Sequence, residues 1–283
     1  MMDEASRTLV RSALAEDLAG HGDITSRWTV PAETKGRAVI LAREPLVVCG
    51  LPLAAETMRT VDAEAEFTCL VDDGRNAKEG EELASIEGSA RSILSAERTM
   101  LNFLIHLSGV ATQASRFSRE VQGTSAKVVD TRKTHAGLRA WEKRAVVYGG
   151  CHNHRFGLFD MVLIKNNHLV AAGGVRSAVE RVREAQPHYA KIEVEIENEA
   201  DLREAIACKT DIVMLDNQDL GALRKMVQLA RELDPQVALE ASGRVSLDTV
   251  RAIAETGVDL ISTSALTMGA PPVDLSLSLT VND

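Results

Sequence analysis

Cysteine is scarce in this chain and aromatic residues are scarcer. Cys49, Cys69, Cys151 and Cys208 are scattered through 283 residues with no C-x-x-C pair. That spacing excludes a disulfide framework and a paired-cysteine metal knuckle, and it fits free thiols in a reducing compartment. Phe, Trp and Tyr together make up 3% of the chain. So few rings exclude a stacking platform for single-stranded nucleic acid. The net charge of −9 excludes a general phosphate-backbone grip, so no nucleic-acid partner is expected. Long apolar runs are absent too: none approaches the roughly 18 residues that a membrane-spanning helix needs. The opening MMDEASRTLVRSALAEDLAG is acidic and amphipathic, without the apolar centre or cleavage site of a signal peptide. A cytoplasmic protein with no membrane partner is the expectation.

What is present is an ordinary globular composition, 45% hydrophobic and 26% charged. The length suits one large domain with a smaller one, and the chain can bury a core without staples. Against the acidic background stands one cationic block, DTRKTHAGLRAWEKRAVVYGGCHNHRFGLFDMVLIKNNH, from Asp130 to His168. It carries seven Lys/Arg against three Asp/Glu and holds four of the seven histidines. A local basic patch inside an acidic protein suggests a pocket for a small, multiply charged anion such as a carboxylate or phosphate.

Two patterns divide the chain. From Leu9 to about Gly88, a helix over Thr8–Leu18 leads into a loop with turn signals at Gly20 and Gly22. Strand-like RAVILARE (37–44) and LVVCG (46–50), a helix at Ala54–Thr60 and a strand at Ala65–Val71 follow. This mixture predicts an α+β domain. The segment from Ser95 has helical periodicity through Met100, Leu101, Leu104 and Leu107, and Gly109 then allows a break. Beyond it come six short apolar strands: 126–130, 161–165, 191–197, 211–216, 236–242 and 259–265. Helical patterns separate them, which predicts a parallel sheet closed toward a barrel. The expected fold is α/β, an incomplete (β/α) barrel over 111–270 preceded by an α+β sandwich domain over 1–110. The tail 271–283 is expected to pack back on the first domain.

Barrel chemistry sits at the C-terminal ends of strands. Here those ends read Asp130-Thr131-Arg132-Lys133, Lys165, Glu195 and Glu197, Asp216, Glu240 through Gly243, and Ser262-Thr263-Ser264. Alternation puts Glu193, Glu195 and Glu197 on one face. A mouth with cations on one side and carboxylates on the other can bind anions and hold Mg²⁺ through oxygen ligands. One rival reading makes Cys151, His152 and His154 zinc ligands. That crowded spacing and the adjacent Arg155 speak against it, and His154 and Arg155 suit donation to an anion better.

The ordered blocks AEDLAGHGDITS (15–26), AERTMLNFLIHLSGVAT (96–112), DTRKT (130–134), GLR (137–139), NHRFGLFDMVLIKNNH (153–168), EVE (193–195), MLDN (214–217), EASG (240–243) and SALT (264–267) resemble the quinolinate phosphoribosyltransferase family, the carboxylating nicotinate-nucleotide pyrophosphorylases. The resemblance implies an α+β sandwich with an incomplete α/β barrel, assembled as a homodimer or higher oligomer. It implies that quinolinate and 5-phosphoribosyl-1-pyrophosphate are converted, with Mg²⁺, to nicotinate mononucleotide, pyrophosphate and CO₂ in de novo NAD synthesis. Carried onto this sequence, Thr131, Arg132, Lys133, His154, Arg155 and Lys165 would bind quinolinate and the pyrophosphate, with Arg98 completing the partner's site. Glu195 and Asp216 would contact the ribose and Mg²⁺, directly or through water. Ser242, Gly243, Arg244, Ser262, Thr263 and Ser264 would cradle the 5-phosphate. Lys133, Lys165, Glu195 and Asp216 are the expected catalytic set.

The chain departs from the commonest family pattern at several positions. Asn166 stands where an acid is usual, and His135-Ala136 replaces a usual Thr/Leu-Pro pair. Arg244 and Ser264 occupy positions that are often Gly, and Met268 one that is often His. Larger side chains in a phosphate loop can crowd the ligand, or add a cation and a hydroxyl to it. Two alternatives stay open on the sequence: a paralogous phosphoribosyltransferase for another aromatic acid, and a non-catalytic binder of a phosphorylated metabolite.

Overall fold

A computed structural model describes residues 2–185 and 190–281. The chain runs α1 (Glu4–Leu18), α2 (Ile24–Thr29), β1 (Lys35–Ala42), β2 (Leu46–Val47), α3 (Leu51–Val61), β3 (Glu66–Cys69), β4 (Asn76–Ala77), β5 (Glu82–Ser89) and α4 (Ala90–Glu120). It continues through β6 (Lys127–Val129), α5 (Arg139–Tyr148), β7 (Val162–Ile164), α6 (Asn166–Ala172), α7 (Val175–Ala185), β8 (Ile192–Ile196) and α8 (Glu199–Ala207). The last elements are β9 (Ile212–Asp216), α9 (Leu220–Leu233), β10 (Ala238–Ser242), α10 (Leu247–Ala254), β11 (Leu260–Ser262), a 3₁₀ turn at Ser264–Leu266 and β12 (Leu275–Val281).

Two compact units arise from this order. The first takes residues up to Ser115, Ala136–Gly149 and the tail from Ala270; the second takes Arg116–His135 and Gly150–Gly269. A division drawn at residue 110 falls inside α4, and no composition change marks the transfer of 136–149 to the first unit. In that unit an antiparallel sheet runs β12-β1-β5-β3, beside a two-stranded ribbon of β2 and β4. The tail strand lies along β1, Leu279 opposite Ala38 and Leu277 opposite Ile40. Strand period puts Ala38, Ile40 and Ala42 on the buried face of β1. On α4 the fully buried Ile93, Ala96, Met100, Leu104, Leu107 and Ala111 recur at three- and four-residue spacing, one helical stripe. Gly109 does not break this helix. A Cβ there would lie 2.4 Å from the carbonyl oxygen of Pro271, so the glycine serves a close approach of the tail. The segment around Gly20 and Gly22, read from sequence as loop, continues into α2, whose first turn is capped by Asp23 accepting from the Ser26 amide.

The second unit is built on a six-stranded parallel sheet in the order β6-β11-β10-β9-β8-β7. All six strands lie within the segments expected from sequence. The described residues leave β6 and β7 at opposite edges, with a single parallel bridge from Val129 to His152 beside β6, so the barrel is incomplete. Strand β8 is buried at every position and β9 at all but its last, as in a sheet covered on both faces. Near the N-terminal ends, Asp211 accepts from the Ile192 amide at 2.8 Å and Asp259 from the Leu239 amide at 2.7 Å. These carboxylates tie strands together and leave the C-terminal ends for chemistry.

Candidate active site

The C-terminal ends of β6 to β11 converge on two adjoining cavities. One, of about 300 Å³, is lined by Arg132, Lys133, His154, Arg155, Lys165 and Glu240, with apolar walls from Leu163 and Met214. The other, of about 590 Å³, is lined by Glu195, Asp216, Ser242, Gly243, Arg244, Thr263 and Ser264. Thr131, Lys133, Lys165, Ser242 and Ser262 line both. Every second-unit residue expected at the site is therefore found around these cavities. Arg98 lies exposed on α4 in the first unit.

Local chemistry explains how each group is held. After β6 the fully buried Asp130 accepts from the His154 amide at 2.9 Å, which fastens the 152–155 turn to the strand end. Thr131 Oγ1 accepts from the Lys133 amide at 3.0 Å, and Thr267 Oγ1 donates to the Lys133 carbonyl at 2.8 Å, shaping the basic loop. Arg155 donates to the Met161 carbonyl at 3.1 Å. Burial and then the nearby Arg132 guanidinium lower its pKa, the signature of two cations gathered in a confined place.

On the other side, Lys165 Nζ sits 2.8 Å from Glu195 Oε2, and Asn166 donates to Glu197 at 2.5 Å. Glu193 and Glu195 are buried while Glu197, past the strand end, is exposed, so the acidic run grades from interior to mouth. Burial pushes the Asp216 carboxyl up, and the negative charge of Glu195 adds to it. Glu195 and Asp216 thus form an oxygen-only pair that gains from a nearby cation. Gly243 is required where it stands: its φ is +97° and a Cβ would meet Asn217 Oδ1 at 2.3 Å. Arg244 follows with φ +52°, a region that ordinary side chains avoid. Its side chain is exposed at the rim of the larger cavity.

Two residues were missing from the expected set. Glu193 and Glu240, both fully buried, approach His154 Nε2 at 3.1 and 3.4 Å. The available signal was an acid at an inner strand position, one of several in KIEVEIE and the only one in QVALEAS. Burial disfavours charge on the ring, but the two carboxylates outweigh it and hold a proton in the cluster up to about pH 10, and burial raises the pKa of Glu193. His154 Nδ1 accepts from the Arg155 amide at 2.7 Å, which leaves the ring proton on Nε2 between the carboxylates. A further proton then resides on a carboxyl group, and the three groups titrate as one unit. Reading His154 as a donor to an anion omitted these partners. The zinc reading of the same turn also fails: Cys151 is buried, His152 is exposed, and neither joins a metal-type cluster among the described residues.

Comparison with known proteins decides the family. The model of the quinolinate phosphoribosyl transferase N-terminal domain matches residues 23–108, and that of the C-terminal domain matches residues 110–278. The chain belongs to the quinolinate phosphoribosyl transferase family. It is 40% identical over 278 residues to the nicotinate-nucleotide pyrophosphorylase [carboxylating] of Mycobacterium leprae, covering 98% of each chain. To the probable enzyme of that name from Synechocystis it is 39% identical over 269 residues, 95% of this chain and 90% of the relative. The solved nicotinate-nucleotide pyrophosphorylase of Francisella tularensis superposes with a TM-score of 0.93 at 39% identity, covering 99% of this chain and 98% of that one. No described helix is long and apolar enough to cross a membrane.

Proposed function

We propose that this protein is a carboxylating nicotinate-nucleotide pyrophosphorylase, joining quinolinate to 5-phosphoribosyl-1-pyrophosphate and releasing pyrophosphate and CO₂. The observation that carries the reading is the pair of adjoining cavities that share Lys133 and Lys165. The smaller is of a size for a rigid aromatic diacid, and its guanidinium groups match planar carboxylates. The larger offers hydroxyls, an αL glycine and Arg244 to a phosphate, and Glu195 with Asp216 to a ribose.

Bond formation then falls at the boundary. The acid's ring nitrogen attacks the ribose C1, the C1–O bond to pyrophosphate breaks, and the leaving group takes the electron pair. Lys133 and Lys165 stand where that charge grows, so they stabilise the transition state more than the ground state. Glu195 and Asp216 favour positive charge on the ribose electrostatically, and no protein nucleophile is required. The quaternised ring nitrogen accepts the electrons left when the adjacent carboxylate departs as CO₂, and a proton replaces it. The protein orients the reactants and excludes water. The oxygen donors and raised pKa of Asp216 fit Mg²⁺, which Glu195 and Asp216 would hold; when bound it supplies charge neutralisation for the leaving pyrophosphate. A homodimer with Arg98 reaching the partner's site, and a cytoplasmic location, belong to the same proposal.

Steady-state assays with quinolinate or nicotinate as the acid test the reading. The expected result is nicotinate mononucleotide from quinolinate alone. Turnover of nicotinate instead would assign a different transferase, and tight binding without turnover would assign a non-catalytic relative.

A further inference from the structure

His154 is tied into the protein at three points. Its amide donates to Asp130 beyond β6, its Nδ1 accepts from the next amide, and its Nε2 faces Glu193 of β8 and Glu240 of β10. Strand β9 separates β8 from β10, so two non-adjacent strands aim carboxylates at one ring. Both glutamates are fully buried, and among the described residues no hydrogen-bond partner apart from His154 meets any of their four carboxylate oxygens. Burying two acids around one shared ring is costly, and the Arg155 guanidinium offsets part of that cost at Glu193.

A metal ion is the first thing such a trio suggests, and the geometry rejects it. A metal on Nε2 requires the ring proton on Nδ1, where it would oppose the Arg155 amide hydrogen at 2.7 Å. The guanidinium groups of Arg155 and Arg132 would also stand against a cation. What the trio does serve is Arg155. That guanidinium must stay beside Arg132, a like charge, before any acid arrives to separate the two.

We propose that Glu240 and Glu193 are positioning residues for the aromatic diacid, pinning the His154 ring so that the ring pins the main chain of Arg155 and Arg155 faces the small cavity. His154 then works through Arg155 and makes no hydrogen bond of its own to the acid. The identity of the acid rests on the function proposed above; the relay itself does not.

The kinetic test is a double-mutant cycle on Glu240→Gln and His154→Gln, with unfolding curves to verify folding. Each single change is expected to raise the KM and the calorimetric Kd for quinolinate about tenfold, the scale of one lost charged hydrogen bond. The KM for phosphoribosyl pyrophosphate is expected to stay within about twofold, and the double mutant to be no worse than the poorer single mutant. Additive losses, or an unchanged quinolinate KM in Glu240→Gln, would overturn the proposal. Nitrogen NMR of histidine-labelled wild type gives a second readout that needs neither turnover nor a folded Glu240 variant. The proposal requires the His154 ring to be protonated on Nε2 only, with no titration between roughly pH 6 and 9. A ring carrying its proton on Nδ1, or titrating near the ordinary value, contradicts it. Wild type that shows this tautomer but no quinolinate turnover would count against the function and leave the relay standing.

Discussion

Proton holding by the trio of His154, Glu193 and Glu240 couples stability to pH. The cluster holds its shared proton up to about pH 10, above the 6.5 of a free imidazole, so its contribution is fully present below 6.5 and is lost as pH rises toward 10. Urea unfolding of wild type and His154→Gln should therefore show a stability gap that is widest at about pH 6.5 and below. The gap should close by up to about 1.4 kcal/mol per pH unit above that. A gap that widens with alkalinity would mean that the cluster binds no extra proton in the folded protein. Arg244 permits a second residue-scale prediction with two opposed readouts. Its φ of +52° costs about 1 kcal/mol, which Arg244→Gly should recover as a higher melting temperature. The same change should raise the KM for phosphoribosyl pyrophosphate while leaving that for quinolinate alone. A stabilised variant with an unaltered phosphoribosyl KM would make Arg244 a bystander at the cavity rim.

Among the elements, α4 shows best where sequence periodicity informs and where it stops. Its buried stripe was legible from Met100 to Leu107, because a three- and four-residue recurrence has few other meanings. The role of Gly109 was not, since its reason is a carbonyl from the tail more than 160 positions along the chain. Alanine is favoured over glycine inside a helix by about 1 kcal/mol, yet here a Cβ would stand 2.4 Å from Pro271 oxygen. Overpacking of that kind costs about 1–3 kcal/mol. Gly109→Ala should lower the urea midpoint in spite of its better propensity, and an increase would show that the tail gives way. The barrel strands were readable for a related reason: buried on both faces, they appear as continuous apolar runs. The acids Glu193 and Glu240 stood out in the sequence, but their partner did not. An acid in a buried strand looks like an interruption until the partner that satisfies it, His154 on a distant turn, is placed beside it.

For the whole molecule, the cationic block in an acidic chain announced a small anion before any fold was known, and the strand ends announced where it would bind. Composition could not say that the site divides into two cavities with two lysines in common, because that depends on how six strand ends meet. Nor could it assign 136–149 to the first unit, since the run of basic residues continues unbroken across that boundary. In this proposal, two cavities joined through Lys133 and Lys165 both transfer the ribosyl group and release CO₂. The most direct measurement is a single turnover with enzyme in excess over carboxyl-labelled quinolinate, phosphoribosyl pyrophosphate and Mg²⁺, counting pyrophosphate and labelled CO₂ together. The account predicts equimolar release of both from wild type and of neither from Lys165→Ala. Pyrophosphate without CO₂, or undiminished release from the Lys165 variant, would contradict it.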